Sequence, residues 1–152
     1  MRSKLPLLIR LGVGAILVSY GYEKLQDPVS FLKSIREYQM FPEECFALLN
    51  FSVSAIPVTE ILAGVFLATG FWRRGAATVM SALMLVFSTA IVVRSIEMMS
   101  TTELAFTELV FDCGCGSGEV VIFEKLLFNL VLTIGILHAG FRNDAPQLSP
   151  SN

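Results

Sequence analysis

Apolar residues do not alternate along this chain. They run in blocks about as long as a bilayer is thick, parted by short polar stretches. Four such blocks, at residues 5–25, 46–71, 75–96 and 120–141, predict four membrane-spanning helices. The first follows Arg2 and Lys4 as a signal peptide would, but no small-residue cleavage site closes it, so it is expected to stay as a span. Its Gly12, Gly14, Ala15, Ser19 and Gly21 would let another helix approach closely, which in lipid stands in for the missing hydrophobic drive. Pro57 interrupts the second block and is expected to kink it, with Glu60 one turn further on near its middle.

The polar stretches carry their own signals. Residues 27–45 are too charged to cross. Asp27-Pro28 reads as a helix start, and Phe31, Leu32, Ile35 and Tyr38 fall at helical spacing, which predicts a short amphipathic helix lying on the membrane. Trp72, Arg73 and Arg74 are read as the interfacial end of the second span, and Arg94 and Glu97 as the end of the third. Ser100-Thr101-Thr102-Glu103 has the form of a capping box and predicts a helix through residues 104–110, ahead of the loop Asp112-Cys113-Gly114-Cys115-Gly116-Ser117-Gly118. Residues 143–152 lack apolar periodicity and are expected to be a disordered tail. The fold class is therefore all-α: a four-helix transmembrane bundle over residues 1–142, with a short amphipathic helix and a Gly/Cys loop on its outer face.

Composition agrees with a membrane protein, since 54% of residues are hydrophobic and only 16% charged. A net charge of −2 leaves no basic footprint for nucleic acid, which is excluded. Three cysteines are too few for a disulfide scaffold, and the paired Cys-x-x-Cys sets of structural zinc sites are missing. With four spans both termini share a side, together with Arg2, Lys4, Arg73, Arg74 and Arg142; the opposite loops are strongly acidic. Arg73-Arg74 in a short connection places the termini in the cytoplasm, so that Cys45 and the Cys113 loop face the periplasm, where oxidised thiols persist.

Candidate chemistry centres on Cys113 and Cys115. Two thiols parted by one glycine can close into a small disulfide for thiol exchange or ligate one soft metal ion, because glycine permits the tight loop that either needs. Glu108, Asp112, Glu119 and Glu124 surround the pair; their charge makes a thiol less nucleophilic and attracts a cation, which leans towards metal. The plain alternative is a static disulfide or two inert thiols. Cys45, at the outer end of the second span, is a candidate third ligand or resolving thiol, or simply a small apolar residue at a helix start.

Glu60 marks a site by default, because an acid near mid-bilayer is costly. The long side chain of Arg10 is expected to reach inward and pair with it, either as a structural lock or as part of a place where a quinone is hydrogen-bonded or a proton relayed. Lys24 and Lys125 near span ends are expected to snorkel to the interface, and Asn129 to hydrogen bond a neighbouring helix. His138 has no second histidine with which to complete a metal or haem site.

Taken together, Arg10-Leu11-Gly12, Gly21-Tyr22-Glu23-Lys24-Leu25, Pro57-Val58-Thr59-Glu60-Ile61-Leu62-Ala63-Gly64, and Asp112-Cys113-Gly114-Cys115-Gly116 before Lys125 and Asn129 resemble the DoxX-like superfamily, with the cysteine loop most similar to its methylamine utilisation MauE branch. The resemblance covers nearly all of the chain up to Arg142. It implies a bacterial inner-membrane protein that assists maturation of the disulfide-rich small subunit of methylamine dehydrogenase beside a periplasmic thioredoxin-like partner; other relatives are linked to quinone reduction. On that reading the chain is a thiol/disulfide or quinone-linked oxidoreductase component, with Cys113 and Cys115 exchanging electrons and Glu60, Arg10, Lys24 and Asn129 beside a quinone. Two alternatives stand next to it: binding or transport of a Cu(I)-type metal through Cys113, Cys115 and Cys45, and a non-catalytic subunit of a larger membrane complex. Ser117 and Gly118 replace the bulky residue that many relatives carry after the second cysteine, which puts the same partner surface in doubt.

Overall fold

A computed structural model describes residues 5–38, 45–101, 110–112 and 119–142. Its order is α1 (Leu5–Gln26), α2 (Pro28–Glu37), α3 (Phe46–Thr69), α4 (Arg73–Thr101), β1 (Val110–Asp112), β2 (Glu119–Val121) and α5 (Ile122–Phe141). α1, α3, α4 and α5 are each long and apolar enough to cross a membrane. They form an all-helical bundle that turns large apolar side chains such as Leu8, Phe51, Leu85 and Val131 outwards. A lipid solvent suits that surface; water does not.

The most extensive interface joins α1 to α3, and the sequence explains its closeness. A Cβ at Gly14 would stand 2.7 Å from the Gly64 carbonyl oxygen, and one at Gly21 2.7 Å from that of Pro57. Both glycines therefore bring one backbone directly against another. Gly12 has nothing within 4 Å of such an atom and takes no part. Pro57 is enclosed in a continuous α3, buried where Gly21 crosses it. On the other side of the bundle Gly140 of α5 meets Ala77 and the Arg73 carbonyl of α4. Leu17, Leu67, Met80 and Ile136 fill the centre between these contacts.

Several boundaries depart from the pattern-based expectation. Gly70, at φ 85°, ends α3 by donating its N–H to the Phe66 carbonyl, and α4 already begins at Arg73. The two arginines thus open α4 and do not close α3. α4 also runs through Ser100 and Thr101, where a new helix was expected to start; the Ser100 hydroxyl bonds back to the Glu97 carbonyl. The helix expected at residues 104–110 lies outside the described residues except for Val110, which is extended in β1. α2 starts as expected, with Asp27 accepting from the Ser30 N–H at 3.0 Å and Pro28 in the first turn. Its apolar face, however, is turned onto the bundle: Phe31 and Ile35 pack with Leu49, Val53, Ile56 and Phe87. α2 is thus a cover on the bundle, with Val29 left outside. The tail 143–152 lies outside the described residues.

β1 and β2 were not expected. They pair antiparallel with Val110 opposite Val121, Phe111 opposite Val120 and Asp112 opposite Glu119, so that residues 113–118 connect the two strands. β2 leads straight into α5, whose first residue Ile122 is buried with Tyr38 and Ile91. β2 and the start of α5 therefore lie at the same end of the bundle as Tyr38, the residue that ends α2.

Candidate functional site

Gly14, Leu17, Gly21 and Lys24 recur at helical spacing on one face of α1, and Pro57, Glu60, Gly64 and Leu67 on one face of α3. Packing these faces together carries the lysine and the glutamate into the same interior. The Lys24 ammonium lies 2.5 Å from Glu60 Oε1, with Lys24 only 9% and Glu60 1% exposed. The ammonium also lies 5.2 Å from the centre of the Phe31 ring on α2 and 6.0 Å from that of Phe87 on α4. Among the described residues nothing donates to the second carboxylate oxygen, Glu60 Oε2.

α5 completes the site. Lys125, in its first turn, has its ammonium 5.8 Å from the centre of the Tyr20 ring and interacts electrostatically with both Lys24 and Glu60. Asn129, one turn deeper and 5% exposed, donates its side-chain N–H to the Ser88 hydroxyl of α4 at 3.3 Å. Five helices thus contribute an ammonium donor, a carboxylate with one open oxygen, two aromatic faces and an amide. That set can hold the polar head of a flat ligand or move a proton.

Arg10 lies elsewhere. Its Nε donates to the Leu67 carbonyl and its guanidinium to the Ala68 carbonyl, each at 3.1 Å, so it caps the end of α3. The antiparallel crossing of Gly14 on Gly64 explains this: it sets Arg10 opposite the last turn of α3, far along the helix from Glu60. The expected Arg10–Glu60 pair is replaced by Lys24–Glu60, and Lys24 turns inward where an outward reach was expected. Arg10→Gln is expected to lower stability by about 1–3 kcal/mol, the worth of charged hydrogen bonds to otherwise orphaned carbonyls. Heat unfolding in detergent, followed by helix circular dichroism, measures it; an unchanged midpoint would remove the capping role.

Against known protein families, the chain matches methylamine utilisation protein MauE over residues 2–142. The chain belongs to the MauE family. No curated protein and no solved structure gives a significant match. Membership and the four spans together make it a multi-pass membrane protein. In this MauE-family chain the structure brings Lys24, Glu60 and Asn129 into one buried region and leaves Arg10 outside it. Cys113 and Cys115 lie outside the described residues. Cys45, half-buried, forms the N-cap of α3 and is a free thiol. His138 Nε2 lies 3.0 Å from an Arg142 guanidinium nitrogen. Among the described residues no three His, Cys, Asp or Glu side chains are grouped to hold a metal ion. Phe31, Phe87, Ser88 and Lys125 join the site without having been assigned to it from the sequence; only the shared helical face of Gly21 and Lys24 could have pointed to their neighbourhood.

Proposed function

We propose that this chain is a thiol/disulfide exchange component of the bacterial inner membrane, with the cysteine loop on the periplasmic side, serving maturation of a secreted partner of the methylamine dehydrogenase type. The observation that supports the reading is the strand pair: β1 and β2, which flank residues 113–118 in sequence, are paired, and β2 runs straight into α5, whose Lys125 interacts with the buried Lys24–Glu60 pair. A partner thiolate attacks one sulfur of the Cys113–Cys115 disulfide. A second partner thiol then displaces the remaining sulfur, so the partner gains a disulfide and the loop takes up two electrons and two protons as two thiols. Reoxidation of the loop needs an acceptor of two electrons and two protons, and a quinone supplies that chemistry when bound. Lys24 and Asn129 would donate to its oxygens, Phe31 and Phe87 would flank its ring, and Glu60 would hold or give up a proton. Glu60 Oε2, without a donor among the described residues, and the Phe31 ring near the Lys24 ammonium support that role. Kinship with the wider DoxX-like superfamily belongs to this same reading.

The test is covalent trapping. In either Cys113→Ser or Cys115→Ser, the remaining cysteine is expected to hold a periplasmic protein in a mixed disulfide on a non-reducing gel, absent from the double variant. If both single variants stay free of adduct while the native thiols are reduced and unreactive, exchange is not their role.

One observation favours a second reading. Glu108, Asp112, Glu119 and Glu124 flank Cys113 and Cys115 in sequence, an acidic composition that favours a cation over a nucleophilic thiolate. Stoichiometric Cu(I) on the purified protein, lost in Cys113→Ser, would select metal binding in place of exchange.

A further inference from the structure

The buried polar groups do not form a patch; they form a column that begins at one end of the bundle and stops halfway. Gly21 lies against Pro57 and Ile61, Asn129 against Ser88, and the Lys24 ammonium near Phe87, which sets Lys24, Phe87, Ser88 and Asn129 at one depth. Lys125 lies one turn nearer the hairpin. Glu60, three residues past Pro57, is about 5 Å deeper, and Ser81, on the same face of α4 as Ser88, about 10 Å deeper, at a rise of about 1.5 Å per residue. Two members have open polar atoms in the interior: among the described residues neither Glu60 Oε2 nor the Ser81 hydroxyl has a hydrogen-bond partner, although Glu60 is 1% and Ser81 8% exposed. Buried polar atoms of this kind are normally satisfied by water.

Beyond Ser81 the described interior is apolar. Leu17, Leu67, Met80 and Ile136, all at 0–1% exposure, close the centre from four helices, and Ala76, Ala77 and Ala139 continue the packing towards the termini. Past Ser81, which adjoins Met80, no buried polar side chain is described in that packing.

We infer that Glu60 is a proton-exchange site open only to the hairpin end of the bundle, reached through Lys125, Lys24, Asn129 and Ser88, with Ser81 at its inner end. The carboxylate takes a proton from water on that side and returns it there. On protonation it loses the charge that holds Lys24, so proton uptake and release of the lysine are one event. The charged groups that face Glu60 are Lys24 from α1 and Lys125 from α5; α2 presents Phe31, and α4 presents Phe87 and the two serines. The path deepens the proton-holding role given to Glu60 in the proposed function and rests on no cysteine.

Sealed vesicles of both orientations, with the intact chain, test it. An impermeant maleimide on the reduced native Cys113 and Cys115 first identifies the hairpin face. A water-soluble carbodiimide, to whose central carbon a carboxyl group adds as its proton passes to nitrogen, is then expected to modify Glu60 from that face and not from the other, as read by peptide mass. In a chain whose three native cysteines are serine, Ser88→Cys and Ser81→Cys are expected to react with a small charged methanethiosulfonate from the same face, and Ala76→Cys from neither. Modification from the termini face, or of Glu60 from neither face, overturns the path; should the cysteine variants fail to fold, the native carbodiimide result decides alone. Failure here leaves the mixed-disulfide test untouched, and the reverse also holds.

Discussion

Lys24→Met is expected to destabilise the bundle by about 3–5 kcal/mol, and the pair Lys24→Met with Glu60→Leu to recover most of that loss. The asymmetry follows from what each change leaves behind. The single variant strands the Glu60 carboxylate at 1% exposure with its ammonium partner gone. The double variant removes both charges and fills the space with apolar atoms of similar size, a replacement that is often neutral or better in a packed interior. Lys125 of α5 still acts on Glu60 electrostatically and sets the loss at the lower end of that range, while Arg10 is committed to the Leu67 and Ala68 carbonyls and is on the wrong part of α1 to help. Unfolding of the four proteins in detergent by heat or by added dodecyl sulfate gives the cycle. If the double variant falls as far as the single ones added together, Lys24 and Glu60 do not act as a pair.

The second large effect is expected at Gly64→Val, about 3 kcal/mol or more, at the upper end of overpacking because the obstacle is backbone. A Cβ there would stand 2.7 Å from the Gly14 carbonyl oxygen, 2.9 Å from Val18 Cγ2 and 3.1 Å from Leu17 Cβ. Valine adds two more carbons in the same direction, and only separation of α1 from α3 makes room for them. That separation also opens the contact of Gly21 with Pro57, next to the ion pair, so site function should fall with stability. Gly12→Val is the control: with nothing within 4 Å it is expected to change stability by no more than about 0.5 kcal/mol. Equal effects at the two glycines would contradict the packing described for α1 and α3.

The spans were legible because hydropathy over some twenty residues is a strong signal, and α1 and α5 fall within a residue or two of where the apolar blocks end. What failed was punctuation. Arg73 and Arg74 read as an ending, yet Gly70 and Trp72, both at positive φ, turn the chain and α4 starts at Arg73. Ser100 read as a cap, but its hydroxyl satisfies the carbonyl of Glu97 inside a helix that simply continues. Strands of three residues are too short for their alternation to be seen, so the hairpin around the cysteine loop was invisible. At the site, Glu60 stood out for its cost in lipid, but its partner was misjudged. Depth along a span was compared without the register between helices, and that register is set by where glycines permit contact: Gly14 with Gly64 and Gly21 with Pro57. Written on those faces, Lys24 falls beside Glu60 and Arg10 beside the end of α3.

The order of the ion pair along the chain bears on how the protein is made. Lys24 precedes Glu60 by 36 residues, so the ribosome delivers the ammonium to the bilayer before the carboxylate leaves the exit tunnel. An acid arriving alone at a lipid interior resists partition by about 2.5–3.5 kcal/mol on translocon scales. Meeting a resident α1 through its glycine face, α3 enters with its charge already answered, and the first helix acts as an intramolecular insertion chaperone for the second span.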